Sequence, residues 1–165
     1  MLYRGAVVYG RIWAERGRIY GPGLSAAYLR ESSIARFPRI VVDQTCRDLL
    51  VATDYLDGPG DGGLLAVDGD GEAFINYLPT GVNVVHADDG YDRGDLLASH
   101  RDRVDELLSE AQDPRVLSKL RWLGHYHNWS CVQLGFPEHQ LPAGALPQGD
   151  IEPSFRTIDE ALATG

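Results

Sequence analysis

Arginine side chains near the start of the sequence have the charge and spacing that best suit binding chemistry. Arg11, Arg16 and Arg18 lie close together along the chain, and Arg4 lies on the preceding predicted strand. Guanidinium groups form paired hydrogen bonds with phosphate and carboxylate oxygens, so this cluster could contact a nucleotide or an acidic partner. It could equally be a solvated hairpin, because turn residues are usually polar. We favour the solvated hairpin and keep ligand contact as the alternative.

The acidity of the whole chain limits the partners that such a cluster could bind. The 165 residues carry a formal net charge of −9, and 44% of them are hydrophobic, as in an ordinary globular domain. A field of this sign repels polyphosphates unless it is locally reversed, so no nucleic-acid partner is expected. No apolar run approaches the roughly 20 residues of a membrane-spanning helix, and the first residues lack the order of a signal peptide. We expect a cytoplasmic protein that does not bind a membrane.

Residue types that bind metals occur in this sequence without a recognisable spacing. Cys46 and Cys131 lie far apart and outside any C-x-x-C pattern, which predicts neither a disulfide framework nor a zinc site. His125 and His127 are two residues apart near the end of a predicted helix, so they cannot share one helical face. A metal site there would require the helix to have ended before them. We expect no metal and no cofactor in this chain alone.

Residues 4–43 carry a resemblance to a known family. The order RGAVVYG, a short hairpin and then GPGLSAAYLRES resembles the second half of a class III nucleotidyl cyclase domain. It is more specifically similar to a bacterial cyclase-like family in which this helix precedes a PRIVVD strand. Residues 67–78 and 100–128 are similar to the part that follows in that family. The resemblance implies an α+β fold: a ferredoxin-like, cyclase-type half domain of antiparallel strands and packed helices, then a hairpin and a C-terminal helical pair.

The helix motif departs from the family where catalysis would need it. Cyclases of this type carry an Asn and an Arg in the pattern GDxVNxAxRLES, and the alignment places Ser25 and Leu29 at those two positions. The resemblance implies that the amide orients the ribose and that the guanidinium stabilises charge on the transferred phosphoryl group. Ser25 could keep a hydrogen bond, whereas Leu29 offers no charge. We therefore name no catalytic residue and expect a catalytically deficient module.

The metal-binding carboxylates of the family lie on strands that precede the first strand of this sequence. A divalent metal would therefore be present only with an N-terminal half. Because class III sites form between two such domains, the resemblance implies a homo-oligomer or a cyclase-like partner chain, with a nucleotide as a further ligand. In the alternative, this chain is one half of a split active cyclase. For the chain as written, we expect the predicted strand at residues 4–10 to pair with another chain or to be covered by the proline-rich tail, since bare apolar strand edges aggregate.

A phosphatase is a second, less favoured alternative. The run LLAVDGDGEAF resembles the first motif of haloacid-dehalogenase-type phosphatases, which would make Asp68 a nucleophile and Asp70 a general acid. VVHADDGYD is similar to the distal acidic motif of that superfamily, at Asp88 and Asp89. These motifs must end separate parallel strands joined by helical crossovers, and about twenty residues are too few for that connection.

The distribution of predicted helices and strands divides the chain into three segments. Residues 1–54 are predicted to form the partial cyclase-like unit, residues 55–136 a hairpin and two-helix extension packed on it, and residues 137–165 an extended tail, disordered in part. Asp43 is interpreted as a helix N-cap rather than a site residue. Residues 44–54 could form a short helix or an irregular stretch.

The middle segment gives clearer predictions of secondary structure. Asp-Gly pairs between residues 64–67 and 73–78 predict a hairpin, and the run DGPGDGG at residues 57–63 predicts a flexible loop. Residues 79–94 are predicted to be a polar connection. Helices are predicted from about residue 95 to 111 and from the Asp-Pro pair at 113–114 to about residue 126.

Overall fold

A computed structural model describes residues 3–53, 63–84, 92–142, 144–149 and 152–164. Its strands are β1 (Gly5–Val7), β2 (Trp13–Glu15), β3 (Arg18–Tyr20), β4 (Ile40–Val42), β5 (Leu65–Asp68), β6 (Ala73–Ile75) and β7 (Phe155–Thr157). Its helices are α1 (Pro22–Ser33), α2 (Gln44–Ala52), α3 (Tyr77–Val84), α4 (Arg93–Glu110), α5 (Pro114–Gln133) and α6 (Ile158–Ala163), with a 3-10 turn at Pro137–His139. The α+β class predicted from the sequence is confirmed.

One sheet joins strands from all three predicted segments. Its order is β1-β4-β6-β5-β7, and the β2–β3 hairpin stands apart as a second, two-stranded sheet. β1 and β4 are parallel, as the α1 crossover between them requires, and the other pairs in the large sheet are antiparallel. The predicted hairpin at Asp68–Ala73 is confirmed as β5–β6. β1 and β7 therefore lie at opposite edges of the described sheet.

Side chains that alternate along the strands form two apolar clusters. Ala66 and Phe74 pack with Trp122 and Tyr126 of α5 and with Val104 of α4. The residues on either side of them point into a second cluster, which contains Val42, Leu65, Val67, Ala73 and Ile158. This alternation is the period-two pattern of strands that are covered on both faces. α5 therefore packs on one face of the sheet, and α6 packs on the other through Ile158.

Capping residues explain where three helices begin. The Asp43 carboxylate accepts a hydrogen bond from the Cys46 amide at 2.9 Å, which confirms its prediction as an N-cap and resolves residues 44–52 as a helix. Asp113 caps α5 through the Arg115 amide at 2.7 Å, also as predicted. α6 begins with a capping box between Thr157 and Glu160.

The structure corrects three predictions of secondary structure. Residues 79–84 belong to α3 instead of a polar connection, because Pro79 falls in the first helical turn, where its missing N–H is not needed. α5 continues seven residues beyond Tyr126, since the buried stripe continues through Ser130 and Cys131. The prediction of an extended tail is wrong for residues 155–163, which form β7 and α6.

The C-terminal segment also corrects the prediction for the first strand. β7 pairs with β5, so the tail covers the opposite edge of the sheet from β1. β7 therefore does not cover β1, and pairing of β1 with another chain stays a prediction. The predicted loop at residues 57–63 and the acidic pair Asp88 and Asp89 lie outside the described residues, apart from Gly63.

Candidate functional site

Exposed apolar side chains are concentrated in residues 7–29. This region holds nine of the sixteen large apolar residues that are exposed in the described part of the chain. We call these nine the arm surface: Val7, Tyr9, Ile12, Trp13, Ile19, Tyr20, Leu24, Tyr28 and Leu29. They lie on the end of β1, on the β2–β3 hairpin and on α1. A concentration of exposed apolar residues marks an interaction surface more often than single exposed residues do.

The β2–β3 hairpin forms because its turn and its cross-strand pair favour it. Arg16 (φ 47°) and Gly17 (φ 78°) both have positive φ, as a two-residue hairpin turn with the natural strand twist requires. Trp13 and Tyr20 are directly opposite each other, with their rings stacked at 5.9 Å between centroids. Every residue of both strands is nevertheless exposed. A two-stranded hairpin is marginally stable on its own, so this one depends on what it packs against.

Glycines attach the hairpin to α1. The Gly23 amide donates to the Arg11 carbonyl at 3.0 Å. A Cβ on Gly10 would lie 2.7 Å from the Gly23 Cα, so a side chain at either position would push the two segments apart. Gly23 is the buried residue of α1, while Leu24, Tyr28 and Leu29 remain exposed on the same helix. The helix therefore presents an uncovered apolar side next to the hairpin.

The structure places Ser25 and Leu29, the two positions at which the helix motif departs from the resembled family, on this uncovered side of α1. Leu29 is 64% exposed and belongs to the arm surface, and Ser25 is exposed one turn before it. The Ser25 hydroxyl lies 3.5 Å from the Gly21 carbonyl oxygen, at the long limit of a hydrogen bond. The Ser25 hydroxyl is therefore exposed at the surface, and the neutral Leu29 side chain supplies no cation beside it.

The predicted arginine cluster lies on the hairpin. Arg16 forms part of the turn and Arg18 begins β3, while Arg11 precedes β2, and all three side chains are exposed. The hairpin itself is thereby confirmed. Contact of these arginines with a nucleotide or a partner stays a prediction.

Arg39 is the centre of a buried polar cluster that no pattern in the sequence indicated. The residue is 1% exposed and precedes β4. Its guanidinium donates to Asp68 and makes a two-pronged contact with Asp70, at 3.1 Å and 2.5 Å. The Trp122 indole N–H donates to the same Asp68 carboxylate at 2.7 Å, and the Gly69 amide donates at 2.6 Å. The cluster joins the β5–β6 turn to β4 and α5.

Burial and Arg39 act in opposite directions on the two carboxyl groups. Burial raises the pKa of Asp68 above its usual value, although the hydrogen bond from Trp122 and the charge of Arg39 lower it in part. Burial would also raise the pKa of Asp70, but the hydrogen bonds and charge of Arg39 outweigh it and the pKa is lowered. Both groups are held in place by the same cation.

This geometry favours a structural role for Asp68 over the phosphatase alternative. β5, which ends at Asp68, pairs antiparallel with both of its neighbours, whereas the phosphatase motif ends a strand with parallel neighbours. Both oxygens of the carboxylate already accept hydrogen bonds. A cleft of about 1030 Å³ opens beside the cluster, and its rim mixes Asp70 and Glu152 with Arg36 and Arg121. The rim therefore favours neither an anionic nor a cationic ligand.

A buried chain of hydrogen bonds links Tyr77, His100 and His127. His127 Nε2 lies 3.0 Å from the His139 carbonyl oxygen, which only accepts, so that nitrogen carries the hydrogen. His127 Nδ1 then accepts from His100 Nδ1 at 3.1 Å, and His100 Nε2 accepts from the Tyr77 hydroxyl at 3.3 Å. Every donor and acceptor role follows from that one carbonyl. Because the two histidines lie 27 residues apart on different helices, no sequence spacing indicated their contact.

The histidine pair predicts a loss of stability in mild acid. Burial, with His127 as a second cause, lowers the pKa of His100 to about 4, and burial also lowers the pKa of His127. The unfolded chain takes up a proton near pH 6.5, whereas folded His100 does so only near 4. The contribution of neutral His100 is therefore complete above pH 6.5 and is lost as the pH falls toward 4. We expect His100 to lower the free energy of unfolding by about 2 kcal/mol between pH 7 and pH 5.

Denaturant unfolding at the two pH values measures this effect, with His100→Gln as the comparison because Gln does not titrate. The titratable and charged groups around the pair are Tyr77, Arg101, Arg103, Cys131 and His139. They are common to both proteins, so the wild type should lose more stability than the variant by that amount. Equal losses in the two proteins would contradict the assignment.

Comparisons with known proteins add no family to these observations. No family model matches the chain, and neither a curated protein nor a solved structure matches it. Within the described ranges, no three His, Cys, Asp or Glu side chains are grouped as a metal site would require. None of the described helices combines the length and apolar character needed to cross a bilayer.

Proposed function

We propose that this chain is an assembly module of the nucleotidyl cyclase type, without turnover of its own, and that it binds a second copy of itself through the arm surface. The observation that carries this proposal is the concentration of exposed apolar side chains on residues 7–29. A cytoplasmic location and a nucleotide contact by Ser25, Arg11, Arg16 and Arg18 belong to the same proposal.

The size of the arm surface suits a stable interface. Its four aromatic residues are between half and 70% exposed, so at 150–250 Å² for each aromatic side chain they offer about 500 Å². The five aliphatic residues add to this area. Specific interfaces bury about 800 Å² on each partner. Tyr and Trp are also the side chains that most often dominate binding energy at such interfaces.

The edge of the sheet favours a second copy as the partner. β1 pairs with β4 on one side and is the last strand of the described sheet on the other. It ends at Val7 of the arm surface, two residues before Tyr9. Identical edge strands can pair antiparallel about a two-fold axis, which is the commonest symmetry of homodimers.

The absence of turnover follows from what α1 presents at the same surface. Leu29 replaces the arginine of the resembled family and cannot stabilise charge on a phosphoryl group. Loss of one such donor typically costs about 3 to 4 kcal/mol of transition-state stabilisation. Incubation of the purified chain with nucleoside triphosphates and manganese should therefore yield no cyclic nucleotide.

A pair of double variants tests the interface. Trp13→Ser with Tyr28→Ser removes two aromatic side chains from the arm surface, and we expect it to convert a dimer to a monomer in light scattering. Leu49→Ser with Val132→Ser is the matched control, because both residues are exposed and lie outside the arm surface. The control should keep the wild-type mass. An arm variant that stays dimeric would refute the proposed interface.

A further inference from the structure

A second cavity has a volume of about 400 Å³. Apolar side chains from the sheet and from two helices form most of its wall: Ile40, Ile75, Val104, Leu107 and Leu123. Its volume falls within the range of small-molecule sites, which are mostly apolar and contain a few polar groups that converge. None of the nine arm-surface residues lines it.

Three polar side chains give this cavity a chemical preference. Tyr77, His100 and Arg103 line it together with the buried Arg39, and no acidic side chain does so among the described residues. Arg39 is already paired with Asp68 and Asp70, so Arg103 is the cation that the described lining can offer to a ligand. The cavity is therefore suited to an anionic group.

Arg103 can offer its guanidinium to such a group at little cost. Its present partner is Glu106, three residues along α4, and both side chains are about half exposed. An exposed ion pair of this kind contributes at most about 1 kcal/mol, so a ligand carboxylate could replace or share it. Arginine binds carboxylates through two parallel N–H donors, which fixes their orientation.

The hydrogen-bond chain supplies a second polar contact. Tyr77 donates to His100 Nε2 across 3.3 Å, a long distance for a hydroxyl donor. Its hydroxyl can therefore turn to donate to a carboxylate oxygen in the cavity. His100 is kept oriented by its own bond to His127 at 3.1 Å. A buried polar chain of this kind, ending at the wall of an apolar cavity, is the arrangement expected of a binding site.

We propose that this cavity binds a small carboxylate with an apolar body, its carboxylate held by Arg103 and Tyr77 and its body packed against Val104 and Leu107. At about 30 Å³ for each non-hydrogen atom, the volume admits a ligand of up to about a dozen such atoms. No arm-surface residue lines the cavity, so either proposal can fail without the other.

Calorimetric titration with sodium octanoate, which has ten non-hydrogen atoms, tests the proposal on the full chain near neutral pH. We expect one saturable site with a dissociation constant below about 1 mM. Octan-1-ol should bind at least about tenfold more weakly, because it lacks the charge that pairs with a guanidinium. Arg103→Gln should weaken octanoate binding at least about tenfold, whereas Arg101→Gln, on the same helix but outside the cavity, should not.

The arm variant Trp13→Ser with Tyr28→Ser locates the binding. It should bind octanoate as the wild type does, since neither residue lines the cavity. Absence of saturable binding to the wild type, equal affinity for octan-1-ol, or loss of binding in the arm variant would each overturn the proposal. Thermal unfolding of Arg103→Gln verifies that the variant is folded, and binding by folded Arg103→Gln at wild-type affinity would overturn the assigned carboxylate contact.

Discussion

Replacement of Arg39 by Met is expected to lower the free energy of unfolding by about 3 to 5 kcal/mol, because it leaves the buried Asp68 carboxylate without its cation. Asp68 is buried with Arg39, and Asp70 receives two hydrogen bonds from it. Methionine fills much of the same space, so the loss comes from the unpaired charge and not from a cavity. The variant should also lose more stability than the wild type as the pH rises from the pKa of an unfolded carboxyl group toward the raised pKa of Asp68 in the fold, because Arg39 no longer stabilises the ionised form.

Urea unfolding at neutral pH measures this effect. Arg101→Met is the matched control, because Arg101 pairs with Asp102 at the surface, and such pairs contribute at most about 1 kcal/mol. A loss below about 1 kcal/mol for Arg39→Met would contradict a structural role for the cluster. It would also reopen the phosphatase alternative, in which Asp68 has to be free to react.

Replacement of Trp122 by Ala should destabilise the protein by about 3 to 5 kcal/mol. The indole is 1% exposed and stacks on Phe37 and Tyr126, with ring centroids 5.7 Å and 5.5 Å away. Its N–H also donates to Asp68. Truncation therefore opens a cavity in the larger apolar cluster and removes a hydrogen bond from a buried carboxylate.

Trp122→Phe separates these two contributions. The phenyl ring keeps most of the aromatic contacts and loses the N–H donor, so we expect a loss of about 1 to 3 kcal/mol. Chemical unfolding of both variants beside the wild type provides the measurement. If Phe were as destabilising as Ala, the hydrogen bond to Asp68 would outweigh packing at this position, which is the opposite of what we expect.

Local signals in the sequence predict the elements that depend on local chemistry. Asp43 and Asp113 are recognisable as helix caps, and the Asp-Gly pairs between β5 and β6 as a hairpin, because these residues act on their own neighbours. The Thr157–Glu160 capping box is a signal of the same kind and could have indicated α6. Its position within a proline-rich stretch favours an extended tail instead, which is why the sequence pattern misleads there.

The features that the sequence did not predict depend on contacts between residues far apart in the chain. Arg39 and Asp68 are 29 residues apart, and His100 and His127 meet from different helices. Nothing in their spacing indicates a contact, since each pair forms only when the sheet and the helices have packed. The exposure of Trp13 and Tyr28 is equally a property of the fold, because the same residues would be buried in many hairpin and helix arrangements.

The oligomeric state of the wild-type chain tests the proposed assembly most directly. Light scattering over a roughly hundredfold range of protein concentration shows whether copies associate by mass action. We predict a species of twice the 18.1 kDa chain mass, which the Trp13→Ser, Tyr28→Ser variant does not form. A mass of 18.1 kDa for the wild type at every concentration would contradict self-association through the arm surface.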